Sequence, residues 1–537
     1  MTATITRSEA AVAETDPGSE VRRRALPWVA AATGMAWSAI MAARLFVGGA
    51  IGMGDQGDGR RLLCQLGVRA TTPFNASAST FIHPTLIAHR WYGEACSADG
   101  SGGVFRSSEL WLLSMAEHLT PLLGLPGSLD LRALGVLCAV LVGLVVAALV
   151  VLLPGPVVVR VVVASLVALL AADSMIAQFF ISPYSEPAEL IGTLALCPAL
   201  LGLWRRGHTT WPALAAVAFL GTVTIGAKTQ AAALLPALVV GLLWGPHGPT
   251  RRPATTGGHA IRAGRWLIGR WPGLMVAALL VGATGYFVVT APVGLTQQQI
   301  YGEVFGEILP HSHDPAADLR ALGADPSLAS AVGSNPESTN AATLRPEYLR
   351  FRTEVTQGRI IEFYLTHPDR LVAVGSDGLK GVDQWRQNYL GSYLANSRQP
   401  AGTIEGRVGA YGALFQHAWQ PVLVLVWLAT LYVGIRTARR RTLGPGARAV
   451  GMLGVFVALG SCTEFWAVMI SEGLPDVYKH MVLTNMLLAL GLPVMLACAV
   501  IRVRVRLRTM ASPDYDTPAP SESAPATALG SAPPVWR

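Results

Sequence analysis

The sequence predicts an all-α polytopic membrane protein, and its composition, its apolar runs and its charge distribution support this prediction. Hydrophobic residues make up 52% of the 537-residue chain and charged residues only 14%, whereas ordinary soluble domains carry roughly 25% charged residues. Apolar runs long enough to cross a bilayer recur along most of the chain. The formal net charge of +8 does not indicate a nucleic-acid partner, because the arginines cluster in short segments between the apolar runs.

Each predicted span is an apolar run of roughly 17–25 residues, the length of a helix that crosses the hydrocarbon core. We count about ten such runs, within a range of roughly nine to twelve. Short turns at Pro154–Pro156 and Ala227–Thr229 must reverse the chain between neighbouring spans. The half-hydrophobic stretch 108–124 is either a further span or a helix lying on the surface. The predicted spans are 27–50, 131–153, 157–173, 187–204, 210–227, 229–245, 272–292, 418–436, 448–470 and 481–501.

The distribution of arginines predicts the orientation in the membrane. Arg22–Arg24 precede the first span and place the N-terminus in the cytoplasm, because basic residues stay on that side. Alternation then makes five linkers cytoplasmic, all of them basic and without Asp or Glu: 154–160, 204–209, 246–271, 436–447 and 502–510. We therefore predict a multi-pass plasma-membrane protein with both termini cytoplasmic and with nearly all acidic residues beyond the two tails on the extracytoplasmic face.

A long outer loop separates two membrane-embedded parts of the chain. The loop is long enough for a small soluble domain, and its patterns predict helices at Glu347–Tyr364 and Trp385–Tyr393. The polar tails are rich in Ala, Ser, Pro and Thr, a composition typical of disorder. The predicted division is a cytoplasmic tail at 1–25, an N-terminal transmembrane module at 26–292 with its first outer loop at 52–130, an extracytoplasmic loop domain at 293–417, C-terminal transmembrane helices at 418–508 and a cytoplasmic tail at 509–537.

The six cysteines fall into two groups. Cys64 and Cys96 lie in the first outer loop, where an oxidising compartment permits a disulfide between them. Their spacing alone leaves that pairing open. The others lie in or beside predicted spans and are expected to be small buried hydrophobic residues; they are Cys138, Cys197, Cys462 and Cys498.

Two aspartates and two arginines directly follow the first predicted span. Asp55 and Asp58 come first, and Arg60 and Arg61 come just after them. Acidic groups are costly at a membrane boundary, so such a pair indicates a functional site. Long loops also concentrate binding and catalytic residues. We therefore expect the chemistry of this protein on its outer face.

A second acidic cluster lies at the outer end of the fourth predicted span. It contains Tyr184, Glu186 and Glu189 within the stretch Ser182–Glu189. Ser185 resembles a helix N-cap, and acids in a first helical turn also suit the helix dipole. A structural role therefore stands beside the functional one, in which Glu186 lines a cleft at the membrane surface.

Two further clusters bring cations to the same face. Lys228, followed by Gln230, is the one charged residue between positions 207 and 250 and either snorkels or holds a lipid phosphate. The segment Glu472–His480 precedes the last span. Three- and four-residue spacing places Asp476, Lys479 and His480 on one helical face, with Tyr478 between them. That face is either a solvated helix end or a contact for phosphate or sugar.

The stretch His311–Asp314 contains two histidines and an aspartate, which are residue types that bind zinc or manganese. No further ligands at a recognisable spacing complete a metal site, so a polar loop is the preferred interpretation, and no metal ligands are assigned. A divalent cation stays open as a cofactor. The chain also has no Walker, Rossmann or glycine-rich phosphate motif, which argues against an ATP-driven pump.

Acids and cations at the outer end of a helical bundle suit sugar transfer from a polyprenyl phosphate. The lipid tail stays in the bilayer while the sugar-phosphate head emerges at the surface. A carboxylate that deprotonates the acceptor hydroxyl contributes roughly 10²–10⁴-fold in rate. Lysine or arginine stabilises the charge that grows on the departing phosphate. The expected partners are therefore a polyprenyl-phosphate-linked sugar donor, a glycan or lipid acceptor, and the bilayer.

Four short motifs, taken with their order and shared side of the membrane, resemble the GT-C superfamily of integral-membrane glycosyltransferases. More narrowly, they resemble bacterial glycan-biosynthesis hexose transferases of the WsfD type. The motifs are Gly-Asp-Gly-Arg at 57–60, Tyr-Ser-Glu-Pro-Ala-Glu at 184–189, Ala-Lys-Thr-Gln at 227–230 and Tyr-Lys-His at 478–480.

The resemblance implies an inverting transfer, of a hexose, from a polyprenyl-phosphate sugar to a cell-envelope glycan or glycolipid. It implies that Asp58 is the base or binds the acceptor, whereas Asp55 binds a metal or a sugar hydroxyl. We assign the donor phosphate to Arg60, Arg61, Lys228, Lys479 and His480. We assign the rest of the substrate to Tyr184, Glu186, Glu189, Gln230, Asp476 and Tyr478.

Three other classes of protein remain as alternatives. A transporter or flippase of lipid-linked sugars would place its charges near the bilayer midplane, and Arg44 inside the first span is the charge that suits it best. An outer-face glycan ligase or acyltransferase would need a catalytic histidine, for which His83, His118, His417 and His480 are the candidates. A non-catalytic membrane scaffold is the third alternative.

Overall fold

The computed structural model of the chain is mostly helical. It describes residues 17–72, 79–91, 104–206, 210–244, 259–336, 338–382, 389–416, 418–471 and 477–511.

The first part of the chain contains one long helix followed by a small mixed layer. Its antiparallel sheet has the order β1-β2-β3, with Val68 paired to Arg90 and Ile87 to Asp130. The stretch 108–124 forms a helix of 14 residues, which is too short to count as a span. The elements are α1 (Pro17–Phe46), α2 (Asp58–Gln65), β1 (Val68–Ala70), α3 (Ser79–Ile82), β2 (Ile87–Arg90), α4 (Glu109–Leu122) and β3 (Leu129–Asp130).

The next part is built from apolar helices joined by tight turns. The Asp130 carboxylate caps α5 by accepting from the Arg132 amide at 2.9 Å. The predicted turn after α5 is confirmed: Gly155 has φ +109°, a left-handed conformation that favours glycine. The helices are α5 (Leu131–Leu152), α6 (Val157–Ala171), α7 (Ser174–Ala177), α8 (Glu186–Arg205), α9 (Trp211–Ile225), α10 (Leu235–Trp244) and α11 (His259–Val289).

The long loop folds into short helices. The helical pattern of 347–364 is confirmed as two helices, whereas residues 389–393 of the second pattern are not helical. There the backbone pairs with the chain after α1: Gly54 donates to the carbonyl of Gly391 at 2.9 Å, and Ile51 bridges Tyr393. Long-range backbone pairing thus overrides local helical preference. The helices are α12 (Val293–Tyr301), which continues as a π-helix at Gly302–Ile308, α13 (Pro315–Ala321), α14 (Tyr348–Glu354), α15 (Gln357–Thr366), α16 (Pro368–Val382) and α17 (Ala410–Phe415).

The C-terminal part packs its long helices through small residues. A Cβ added at Gly451 would overlap the backbone of α18 at Gly434 and Ala438. Glycine at this position therefore lets the two backbones approach closely, as is common between membrane helices. The helices are α18 (Gln420–Arg439), α19 (Pro445–Met469), α20 (Val477–His480) and α21 (Val482–Ala511).

The prediction of a helical polytopic membrane protein is confirmed, but the count of about ten spans is not. Within the described residues, seven helices are long and apolar enough to cross a membrane, or up to eight if one bent pair counts. The predicted span at 157–173 falls on that pair, which bends by 53° where Asp173 caps α7. Those at 210–227 and 229–245 fall on the shorter apolar helices Trp211–Ile225 and Gln230–Trp244.

The cysteines follow the expected division with one exception. Cys64 is disulfide-bonded, while its expected partner, Cys96, lies outside the described residues. Cys138, Cys197 and Cys498 are free and buried, as expected. Cys462 on α19 is free but exposed, so the expectation of burial is wrong there.

Candidate active site

A cavity of about 1070 Å³ lies at one end of the membrane helices. Its walls come from α2, the start of α8, the turn between α9 and α10, the end of α19, and α20. Because α19 ends here and α21 begins just after α20, the cavity lies at the mouth of the bundle. The polar lining residues include Gln56, Asp58, Arg60, Arg61, Tyr184, Glu186, Lys228, Gln230, Lys479 and His480.

Asp55 shapes the turn that presents Asp58 to the cavity. Asp55 Oδ1 accepts from the amides of Gly57 at 2.8 Å and Gly59 at 3.1 Å. Gly57 precedes helix α2 with φ +116°, in the left-handed region. Asp55 itself does not line the cavity, and burial raises the pKa of its carboxyl above the ordinary value.

The first two motifs fit together at Gly59. A Cβ added there would overlap the ring of Pro183, at less than 3.0 Å. The hydroxyl of Tyr184 donates to the carbonyl of Gly54 at 2.8 Å and accepts from the Gln56 amide at 3.0 Å. The segment before α8 therefore holds the aspartate turn in place, and glycine at 59 is required for the close approach.

Asp58 forms an ion-paired centre within the cavity. Its carboxylate pairs with the Lys479 ammonium and, at 3.1 Å, with Nη1 of Arg61. Burial raises the pKa of Asp58, but Lys479 and Arg61 outweigh it and hold the pKa well below its usual range. The Asp58 side chain is 42% exposed, whereas that of Lys479 is 2% exposed. The group is thus a charged carboxylate that a ligand in the cavity can reach.

Lys479 also contacts an aromatic face. Its Nζ lies 4.5 Å from the centre of the Tyr184 ring, a distance at which a cation is attracted by the ring. The tyrosine is buried, and its hydroxyl is held by backbone groups. The lysine is therefore fixed between the ring and Asp58.

A second ion pair lies across the cavity. Lys228 Nζ is 3.2 Å from Glu186 Oε1 and donates to His480 Nδ1 at 2.7 Å. Burial, together with Lys228 and Lys479, lowers the pKa of His480 well below its ordinary value. Its ring is therefore neutral at physiological pH and accepts from the ammonium. The amide nitrogen of Gln230 donates to the carbonyl of His480 at 2.8 Å, which fixes α20 against the α9–α10 turn.

Further acids lie behind Lys228, and sequence reasoning missed two of them. Glu464 on α19 interacts electrostatically with Glu189 and Lys228 and is fully buried. Glu109 is also fully buried and accepts from the Ala188 amide at 2.7 Å. The signal that identifies Glu464 is its position inside the predicted span 448–470, since an acid within a span indicates function.

The structure brings most of the predicted site residues to one cavity. The catalytic and binding roles assigned to them remain predictions. Asp55 and Glu189 are the described exceptions, because neither lines it. Asp476 and the side chain of Tyr478 lie outside the described residues. The predicted residues that line the cavity are Asp58, Arg60, Arg61, Tyr184, Glu186, Lys228, Gln230, Lys479 and His480.

Arg44, the charge that best suits a transporter, has a structural partner. It pairs with Glu405 of the long loop, and its Nε donates to the carbonyl of Ala172 at 3.1 Å. Arg407 pairs with the same carboxylate at 3.0 Å. Arg44 thus ties the end of α1 to the loop.

Two of the other candidate catalytic histidines, His83 and His118, contact backbone carbonyls. His83 Nδ1 contacts the carbonyl of Tyr393 at 2.9 Å, and His118 Nδ1 that of Ser114 at 2.7 Å. His417 lies outside the described residues. Neither His83 nor His118 lines the cavity.

The residues of the 311–314 stretch point in different directions. His311 Nε2 pairs with Asp377 at 2.7 Å, and Asp314 caps α13 by accepting from the Ala317 amide at 3.0 Å. In the described part of the chain, no group of three or more His, Cys, Asp or Glu side chains is arranged to hold a metal.

Fold and site together define a polytopic helical membrane protein with a cavity of paired carboxylates and cations at the mouth of its helices. The chain belongs to the YfdI N-terminal transmembrane domain family, whose model matches residues 21–516. A transmembrane domain of this type suggests a membrane glycosyltransferase-like protein, while GT-C type and WsfD-type specificity stay predictions. No curated protein and no solved structure matches the chain.

Proposed function

We propose that this protein transfers a sugar, a hexose by resemblance, from a polyprenyl phosphate to a cell-envelope glycan or glycolipid. The transfer takes place on the extracytoplasmic face with inversion at the anomeric carbon. The observation that supports this proposal is the pair of ion-paired centres, Asp58 with Lys479 and Arg61, and Glu186 with Lys228, in one cavity. Acidic and basic groups in one cavity suit a reaction that removes a proton and releases a phosphate.

The donor fits between the cations and an apolar wall. Val288, Ala291 and Leu295, from the end of α11 to the start of α12, also line the cavity. Val289 beside them is 83% exposed on the surface of the helix. The prenyl chain therefore approaches from the bilayer along α11, and its phosphate binds Lys479 and Lys228.

Asp58 serves as the base in this scheme. The acceptor hydroxyl attacks the anomeric carbon as its proton passes to Asp58, while the bond from that carbon to the phosphate oxygen breaks. The phosphate leaves with the bonding electrons and is stabilised by the lysines. A donor phosphate that engages Lys479 weakens its pairing with Asp58 and raises the pKa of the carboxyl, which makes it a stronger base when the donor is bound.

The test is transfer by purified protein from a defined polyprenyl-phosphate sugar. Asp58→Asn should reduce turnover by about 10²–10⁴-fold, the range for general-base catalysis, while the protein stays folded and inserted. Asp369→Asn, at an aspartate 65% exposed on α16, is the control. Full turnover in Asp58→Asn would reject the base assignment. Translocation of the donor without transfer by the unaltered protein would instead indicate a flippase.

A further inference from the structure

A second cavity, of about 790 Å³, lies at the other end of the membrane helices. It is bounded by the turn between α5 and α6, the first turns of α6, and the last turns of α21. Helix α21 begins beside the candidate active site and reaches this cavity roughly 20 residues later, or about 30 Å along its axis. The two cavities are therefore separate sites.

The lining of the second cavity is apolar except for two guanidinium groups, those of Arg160 and Arg504. On the outside of α6, Val158 is 72% exposed and Val162 is 46% exposed, so the cavity adjoins a surface that faces lipid. The apolar lining includes Leu153, Val157, Val163, Ala497 and Ile501. This combination suits a ligand with an anionic head and an apolar chain.

Three arginines gather where α5 ends. Arg160 Nε donates to the carbonyl of Gly155 at 2.9 Å, and Nη1 of Arg205 donates to that of Val151 at 2.8 Å. Nη1 of Arg504 lies 3.6 Å from the position that a Cβ on Gly155 would take. The partial negative charge of a helix C-terminus offsets part of the repulsion among them.

Within the part of the chain that the structure describes, these arginines have no carboxylate partner. Among the described residues, none of Arg160, Arg205 and Arg504 forms an ion pair with Asp or Glu. The segments 154–160, 204–209 and 502–510 also contain no acidic residue. An external anion is therefore the group that complements this cluster.

We propose that the second cavity binds an anionic glycerophospholipid. Its phosphate lies between Arg160 and Arg504, and an acyl chain lies along α6 and α21. Basic pockets between membrane helices recognise such head groups, because anionic lipids are abundant in the cytoplasmic leaflet. The positive-inside prediction places this end of the helices in that leaflet.

The experiment uses the full chain, purified in detergent, with mixed dioleoyl phosphatidylglycerol and dioleoyl phosphatidylcholine. Native mass spectrometry counts the retained lipids. We expect phosphatidylglycerol to be retained preferentially, with about fivefold weaker retention in Arg504→Ala and about thirtyfold weaker retention when Arg160→Ala is added. Arg441→Ala, at an exposed arginine between α18 and α19, is the matched control and should retain the lipid normally.

Because Arg160 Nη1 also donates to the carbonyl of Val151 in the last turn of α5 at 3.3 Å, Arg160→Lys tests the charge separately from the fold and should keep most of the preference. Equal retention of the two lipids, or an unchanged preference in the double variant, would overturn the proposal. Displacement of phosphatidylglycerol by soluble glycerol phosphate would indicate a phosphate site without a lipid requirement, and would also contradict it. Displacement by an equal amount of polyprenyl phosphate would assign the cavity to the donor lipid instead.

Discussion

At the scale of single residues, neighbouring charges and burial fix the protonation of Asp58 and His480 in the cavity. Asp58 is kept charged by Lys479 and Arg61, and His480 is kept neutral by burial beside two ammonium groups. Lys228 bridges Glu186 and His480. Both carboxylates that line the cavity are thus paired with cations.

The charge state of Asp58 predicts the pH dependence of the reaction. Because its pKa is below the ordinary value, the carboxylate stays charged as the pH falls from 7 to about 5, and kcat/KM should not decline through its protonation in that range. Lys479→Ala removes the main stabilising charge, so the acidic decline should move to higher pH. Profiles of kcat/KM for Lys479→Ala and for Lys380→Ala, a control on α16, test this. An acidic decline at the same pH in both variants would contradict the prediction.

Lys228 is predicted to bind the donor phosphate. A hydrogen bond to a charged group contributes about 1.5–3 kcal/mol, so Lys228→Ala should raise the donor KM by about tenfold to a hundredfold. Lys228→Arg retains a cation and should recover much of that loss. Steady-state kinetics with varied donor measure both effects. An unchanged donor KM in Lys228→Ala would remove this lysine from the donor site.

At the scale of elements, glycines decide how closely the loops and helices meet. Because Gly59 has no side chain, α2 packs directly against Pro183. The position of Asp58 therefore depends on the segment before α8. Gly451 likewise lets α19 approach α18. In both places, the absent side chain is what allows the contact.

Gly59→Ala should therefore displace α2 and lower transfer by about tenfold or more, since a small misplacement of reacting groups is costly. The change is otherwise favourable, because alanine is preferred over glycine in helices. Gly282→Ala, on α11 with open space around it, is the matched control. Turnover and thermal unfolding of both variants test the prediction, and normal turnover in Gly59→Ala would show that α2 tolerates the shift.

At the scale of the whole molecule, the buried pair of Arg44 and Glu405 joins the first membrane helix to the long loop. Arg44→Ala leaves the fully buried Glu405 with only Arg407, and removal of one partner from a buried pair costs about 3–5 kcal/mol. We expect a lower thermal midpoint for Arg44→Ala, measured in detergent. Arg44→Ala combined with Glu405→Gln should recover part of the loss. A midpoint equal to that of the unaltered protein would show that the pair does not stabilise the fold.

The orientation of the molecule gives a further prediction. Arg398→Cys, at an exposed position of the long loop, and Arg441→Cys, between α18 and α19, introduce reporters. A membrane-impermeant thiol reagent should label only the first in intact cells and both in opened membranes. The exposed Cys462 is replaced by serine in both variants to remove background. The opposite pattern would place the candidate active site in the cytoplasm.

The sequence by itself determined the helical membrane class, because apolar length and charge patterning are properties of the chain that need no tertiary contact. It also identified the charged residues that line the cavity, since charged groups at the ends of apolar runs are conspicuous.

Only the tertiary structure decided which charges meet. The ion pair of Asp58 with Lys479 joins positions 421 residues apart, and Arg44 meets Glu405 across 361 residues. It also separated Asp58, which faces the cavity, from Asp55, which holds the turn. Local patterns have no information about partners so distant in the chain, because those contacts exist only once the helices have packed.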